Sequence, residues 1–286
     1  MIYISTGGHY RQTAVETALD YYQNGILGIE LSGGAYSKTY FHDLKALPAQ
    51  LQFQVHNYFP PPASPFVFNL ASDAADISKL SIEHVRSAIR LAVALRRPVY
   101  SFHAGFRINP RVNELGRNLA LCPLLDRARA LEIFGEHLTF LAEEALREGV
   151  TLLIENNVIN KVNLASFGED PLLLTQPDEI SAFMRKVPSN VGLLLDVAHL
   201  KVSANALGFD LVAAHKQLQP WIKAYHLSDN DGSSDSNNAV SEESWFWDDL
   251  IRGLDYYSLE VYRTPTLELV VQRDLVAKRL AEPYVD

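Results

Sequence analysis

Four side chains able to ligate a metal stand at or near the ends of short apolar runs: Glu155 in "VTLLIE" (150–155), Asp196 in "VGLLLD" (191–196), His226 in "WIKAYH" (221–226) and Glu260 in "YYSLEVY" (256–262). Three carboxylates and one imidazole suit Mn2+, Zn2+, Mg2+ or Co2+, and the set has no soft ligand to choose among them. Two further runs end in histidine, His56 in "QFQVH" (52–56) and His103 in "PVYSFH" (98–103), while His199 follows Asp196 by three residues in "LLLDVAHL". His56 and His103 can hold a second ion bridged by Glu155, or bind substrate hydroxyls directly. Carboxylates gathered without a cation would repel one another and lose hydration, so they would protonate or destabilise the fold. A divalent ion resolves that conflict and is the expected cofactor, with Mn2+ or Zn2+ placed first.

Weaker candidates surround this set. Glu30 stands next to last in the run "GILGIEL" (25–31) and can accept a hydrogen bond from a ligand or position His56. Lys201 can neutralise a substrate phosphate or carboxylate. The stretch "AGFRINPRVNELGRN" carries Arg107, Arg111 and Arg117 and no lysine; guanidinium forks suit anions, so Arg107 is an expected contact for a phosphate or carboxylate, against the alternative of pairing with acids such as Glu114. "NYFPPPASPFVFNLAS" sets Tyr58, Phe59, Phe66 and Phe68 among prolines, as a rigid aromatic wall would require.

These residues need a scaffold that converges strand ends. Eight apolar, β-rich runs occur along the chain: the six that carry Glu155, Asp196, His226, Glu260, His56 and His103, together with "GILGIEL" and "MIYIST" (1–6). Between them lie segments such as "TAVETALDYYQN", "SIEHVRSAIRLAVALR" and "ALEIFGEHLTFLAEEALREG", whose apolar residues recur at three and four as in amphipathic helices. Continuous apolar strands with helical crossovers indicate a parallel sheet covered on its faces. Eight such units fill about 260 residues, the size of a (β/α)8 TIM barrel, and residues 1–286 are read as one such domain. A doubly wound open sheet is the competing architecture, but "TGG" and "SGG" after the first two strands are not a GxGxxG fingerprint. They are expected to be turns that relieve crowding at the barrel mouth, where chemistry belongs in this fold.

Composition narrows the partners. Lys plus Arg total 25 against 34 for Asp plus Glu, a net charge of −9, which opposes nucleic acid and anionic membranes. No run approaches the ~18 apolar residues of a membrane span, and the first residues lack a secretory pattern. The lone Cys122 excludes an intrachain disulfide and a thiolate metal cluster and fits a reducing compartment, so a cytoplasmic location is expected. In "SWFWDDLIRG", Trp245 and Trp247 can close a pocket, form a contact in a homo-oligomer, or cap a seventh helix.

Taken together, "VHNYF", "FNLAS", "FHAG", "LLIENN", "LLLDVAH", "YHLSDNDG" and "LEVY" resemble the xylose-isomerase-like TIM barrels, from about residue 1 to residue 265. That superfamily joins sugar isomerases and epimerases with metal-dependent abasic-site endonucleases. The epimerase branch implies that Glu155, Asp196, His226 and Glu260 hold the metal. The endonuclease branch, with three zinc ions, adds His56, His103, His199 and an Asp-x-His pair after the seventh strand. Here that pair reads Asp235-Ser236-Asn237. Asparagine is a weak neutral ligand, so a third ion would be held loosely, and Ser233 through Asn238 are expected to form a solvated loop. Asp229, three residues beyond His226, is expected to orient that ligand or touch substrate.

The resemblance implies a sugar or sugar phosphate isomerase or epimerase in which Glu155 and Glu260 flank the substrate. One removes the proton alpha to a carbonyl, the other returns a proton, and the ion stabilises the enediolate between. His199 would then hold an oxygen near the reacting carbon and His103 a more distal hydroxyl. The expected partner is a small carbohydrate, anionic if Arg107 or Lys201 engages it. Phosphodiester hydrolysis of the abasic-site type, a dehydratase using the same metal and base, and a barrel that has lost catalysis and serves as a binding partner are the competing functions.

Overall fold

The computed structural model describes residues 1–114 and 119–282. Eight parallel strands close into one barrel in sequence order: β1 (Ile2–Ser5), β2 (Gly28–Leu31), β3 (Gln52–His56), β4 (Val99–His103), β5 (Thr151–Glu155), β6 (Val191–Asp196), β7 (Ile222–Leu227) and β8 (Tyr257–Leu259). The helices are α1 (Ala14–Gln23), α2 (Tyr40–Lys45), α3 (Ala75–Ala94), α4 (Arg127–Arg147), α5 (Lys161–Phe167), α6 (Pro177–Met184), α7 (Val197–Leu207), α8 (Leu211–Leu218) and α9 (Thr266–Ala281). The (β/α)8 TIM barrel expected from the strand count is the fold observed. Arg117 lies outside the described residues.

The period of two along each strand places the site. Tyr3, Leu153, Leu194, Ala224 and Tyr256 form an apolar cluster separate from the main core, while Leu152, Ile154, Leu193, Leu195 and Tyr225 belong to the larger core that includes buried residues of the surrounding helices. Alternate residues therefore point into the barrel. Two steps beyond Leu153 comes Glu155, beyond Leu194 comes Asp196, beyond Ala224 comes His226, and two steps beyond each of these inward residues the mouth is reached. The same parity carries Glu30, His56, His103 and Glu260 inward. A register irregularity at Leu193/Leu194 leaves Asp196 directly paired with His226.

Local chemistry supports these placements. Thr13 and Glu16 make a reciprocal capping box on α1, and Asp196 both ends β6 and caps α7 by accepting the His199 backbone N–H at 2.7 Å. At Gly7 a Cβ would stand 2.3 Å from the Tyr262 hydroxyl, so glycine here lets Tyr262 approach, as expected of the turn after the first strand.

Two expectations need correction. β8 spans only Tyr257–Leu259 rather than the whole apolar run; Glu260 lies just past it, still tied to β7 by its N–H to the Leu227 carbonyl at 3.1 Å. No helix forms between β7 and β8 among the described residues, so Trp245 and Trp247 cap none. Trp247 is buried, donates from Nε1 to the Ser241 carbonyl at 2.7 Å and lies under the Arg279 guanidinium of α9, while Trp245 meets His215 of α8 edge-on. Aromatic burial against the outer helices, without helical periodicity, explains the segment. No helix among the described residues is long and apolar enough to cross a membrane.

Candidate metal centre and its two cavities

Glu155 is the hinge of the site. It is fully buried, with Oε1 at 3.2 Å from His226 Nδ1 and Oε2 at 3.3 Å from both His56 Nε2 and His103 Nδ1. One carboxylate thus faces two groups of potential ligands. In the first, Glu155, Asp196, His226 and Glu260 each offer an atom within 4.8 Å of the others; in the second, Glu155, His56 and His103 do the same. These clusters of carboxylates and imidazoles are able to bind a divalent ion. Their remaining valences fit that use. Glu155 Oε2, Asp196 Oδ2 and His103 Nδ1 are buried without a hydrogen-bond partner, a costly condition for polar atoms that an ion would relieve.

The other atoms of these side chains are fixed. Asp196 spends Oδ1 on the α7 cap, which leaves Oδ2 facing His226 Nδ1 at 3.9 Å. His226 donates Nε2–H to Glu30 Oε2 at 2.9 Å, so Nδ1 is the atom turned toward Glu155 and Glu260. Glu260 accepts from Ser5 and Tyr262 at Oε1, at 3.2 and 3.0 Å, and presents Oε2 to His226 at 3.5 Å. His56 Nδ1 meets Ser101 Oγ at 2.9 Å, Ser101 meets the Tyr256 hydroxyl at 3.1 Å, and Tyr256 donates to Glu30. A buried hydrogen-bond chain therefore links the outer nitrogens of His56 and His226 through Glu30, and holds both rings in orientation.

Of the roles open to Glu30, the structure shows the acceptor for His226. Glu30→Gln keeps the shape but replaces the charged acceptor. An expected loss of about 10–100-fold in divalent-ion affinity, the usual cost of removing such an outer partner, would show in a competition titration with a chelator; unchanged affinity would make Glu30 a packing residue.

Carboxylates and imidazoles shift one another's ionisation within the cluster. Burial pushes Glu155 up, but His103, His226 and His56 together hold it well below the usual carboxylate range. Burial lifts Asp196 to about 7, with His199 opposing and Glu155 and Asp235 reinforcing. Burial lowers His226, yet Glu30, Glu260 and Glu155 keep it well above an ordinary imidazole; Asp196, Asp235 and Glu155 do the same for His199. His103 is lowered to about 4, chiefly by burial, with Glu155 opposing. Ion binding would displace protons from His226, because a ligating imidazole nitrogen must be free.

His199 sits on the first turn of α7, with Nδ1 donating to the Asn156 carbonyl at 2.9 Å and Nε2 at 3.2 Å from Asp235 Oδ2. The loop after β7 is thus only partly the solvated segment expected. Ser233 and Ser234 are exposed, but Asp235 folds back onto His199 and Asn237 is buried with φ 47°. The asparagine occupies the wall of the mouth where the Asp-x-His pattern would place its histidine.

Three candidates have other work. Arg107 is buried: Nε donates to the Leu125 carbonyl at 2.8 Å, and Nη1 to Glu169 at 2.7 Å and to the Asp170 carbonyl at 2.8 Å. It clasps the loops after β4 and β5 instead of meeting an anion. Lys201 reaches Asp229 Oδ1 at 2.7 Å and the Asn230 carbonyl. Asp229 also accepts from Ser244 at 2.8 Å; neither residue orients His226, and both fasten the loop after β7. Asn69 of "FNLAS" is likewise a clasp, donating to the Phe106 and Ile108 carbonyls at 3.2 and 3.1 Å.

Sequence reasoning missed Tyr256, Tyr262, Ser5 and Ser101, which support the ligands, and Arg263. The inward parity of Ser5, Ser101 and Tyr256 was a usable signal; Arg263, with φ 57° and a hydrogen bond to the Ser236 carbonyl at 2.5 Å, had none.

The mouth opens into two adjoining cavities. One, of about 530 Å³, is polar and bordered by His56, His103, His199, Glu260, Tyr262 and Arg263. The other, of about 620 Å³, is bordered by Tyr58, Phe66, Phe68, Phe106, Val158 and Leu172. Asn57, His103, His199 and Asp235 border both. The expected aromatic wall thus faces the site through Tyr58, Phe66 and Phe68, whereas Phe59 is buried in the core.

The family model described as xylose isomerase-like TIM barrel matches residues 19–257. No curated protein sequence matches the chain. Among solved structures, a D-tagatose 3-epimerase-like protein superposes with a TM-score of 0.71 at 18% identity, covering 98% of this chain and 96% of the other. An L-ribulose 3-epimerase gives 0.69 at 17%, covering 98% and 94%. A family 2 AP endonuclease from Brucella melitensis gives 0.59 at 14%, covering 93% and 95%. At these identities the likeness establishes the fold.

Proposed function

The chain belongs to the xylose isomerase-like TIM barrel family, and on that premise we propose that it is a divalent-metal-dependent sugar epimerase or isomerase. The observation that carries this reading is the group Glu155, Asp196, His226 and Glu260, whose ligand atoms converge while Asp196 Oδ2 remains without a partner. Those four residues would hold the ion, Mn2+ or Zn2+ by preference. Bound there, it supplies Lewis-acid stabilisation of negative charge developing on a substrate oxygen.

The chain's own residues move the protons. Glu260, which borders the polar cavity, and Glu155, whose Oε2 lacks a hydrogen bond, form the pair that removes and returns a proton alpha to a carbonyl through an enediolate. Return to the opposite face of the same carbon is epimerisation; delivery to the neighbouring carbon is isomerisation. The solved structures named as 3-epimerases favour the former. His199 and His103, on the wall shared by both cavities, bind substrate oxygens. A small carbohydrate is the partner, and Arg263 replaces Arg107 and Lys201 as the cation bordering the polar cavity.

Phosphodiester hydrolysis of the abasic-site type is the second reading, and the group Glu155, His56 and His103 favours it. The net charge of −9 and Asn237 stand against it. Glu155 makes the two readings mutually exclusive: an ion on His56 and His103 would take the oxygen needed for proton transfer. Elemental analysis of protein purified without added metal is expected to find close to one ion per chain, retained in His56→Ala, with C–H exchange in D2O on a ketose panel. Two or more zinc ions, one lost in His56→Ala, together with cleavage of abasic DNA, would replace this reading with the second.

A further inference from the structure

We infer that the substrate carries an aromatic substituent, seated in the apolar cavity while its hydroxylated part lies in the polar one. The inference rests on the reading of the carboxylate and imidazole cluster as the reacting site. Its starting point is that the two cavities adjoin and share bordering residues. His103 and His199 border both, so a molecule beside the cluster has both cavities within reach.

The apolar cavity, at about 620 Å³, is large enough to be a small-molecule site by itself. A free monosaccharide carries a hydroxyl at nearly every carbon. Pressing those hydroxyls against Phe66, Phe68, Val158 and Leu172 would strip their water, and the asparagines that share this lining, Asn157, Asn160 and Asn163, already spend Nδ2 or Oδ1 on backbone groups. An aromatic ring loses nothing comparable there, and it gains ring contacts because Tyr58, Phe66, Phe68 and Phe106 all border the space.

The wall is also built in advance. Tyr58 stacks on His84 with centroids 5.3 Å apart, and its hydroxyl accepts the Phe66 backbone N–H at 2.7 Å. His84 also touches Phe66 and Phe68, and donates Nε2–H to the Asn57 carbonyl at 3.0 Å. Burial keeps that imidazole neutral down to about pH 4, so no charge lies behind the rings. Side chains held by backbone hydrogen bonds and stacking do not need to reorganise when a ring enters, which favours binding.

The test compares phenyl β-D-glucopyranoside with methyl β-D-glucopyranoside by calorimetry on the Mn2+-loaded full chain. Neither probe has a free carbonyl, so binding is read without turnover. The phenyl compound is expected to bind at least about tenfold tighter, a factor set by one ring moved from water into an apolar site. Val158→Trp, which fills the cavity, and Phe66→Ala, which opens its wall, should each remove most of that advantage; ion content measured on both variants confirms an intact fold. Absence of a phenyl advantage in the wild type, or its survival in both ion-loaded variants, overturns the inference. Tighter binding of abasic duplex DNA than of the phenyl compound, lost in the same variants, also overturns it by assigning the rings to a nucleobase. If aryl preference holds but no ketose exchanges its C–H, the aromatic subsite stands and the epimerase reading falls.

Discussion

Glu155→Ala is expected to leave the protein unable to retain a divalent ion through dialysis and to lower C–H exchange on ketoses to background. Glu155 belongs to both ligand groups, through Oε1 toward His226 and Oε2 toward His56 and His103. Removal takes one ligand from each group and leaves those imidazoles without the carboxylate between them. Loss of an outer partner costs about 10–100-fold in affinity, so loss of this shared ligand should cost at least the upper end of that range. Glu155→Gln supplies the control for folding, since it preserves volume and should show the same ion loss with unchanged far-UV circular dichroism. Full ion content in Glu155→Ala would place the ion elsewhere.

Glu260→Gln, assayed at saturating Mn2+, is expected to lower kcat by about 10²–10⁴-fold, the usual contribution of a positioned acid or base. The amide oxygen can still accept from Ser5 and Tyr262 as Glu260 Oε1 does, so the local structure is kept while the proton-transfer group is lost. Working at saturating metal separates this loss from weaker ion binding, which a titration of activity against Mn2+ reads independently. Turnover close to wild type would assign proton transfer to another residue.

Much of this site was legible because barrel strands obey a simple rule. An apolar run buried on both faces still alternates inward and outward, and a polar residue tolerated at its last inward position must face the mouth. Glu155, Asp196, His226, His56 and His103 all satisfy that rule, and they meet. Arg107 and Lys201 obey no such constraint. Arg107 lies on the loop after β4 and Lys201 on α7, outside the strands, where a guanidinium or ammonium can serve either a ligand or a neighbouring loop, and the clasps to Glu169 and Asp229 decided between these.

By itself the sequence determined the barrel, the inward parity of its ligands and the absence of a histidine at Asn237. Periodicity and residue identity are local properties, and those features depend on little else. Only the tertiary structure decided that Glu155 joins two ligand groups, that Glu30 orients His226 across 196 positions of chain, and that a neutral His84 stiffens an aromatic cavity beside the polar one. Each of these depends on distances between side chains remote in sequence, set by barrel closure and by the packing of loops that carry no periodic signal.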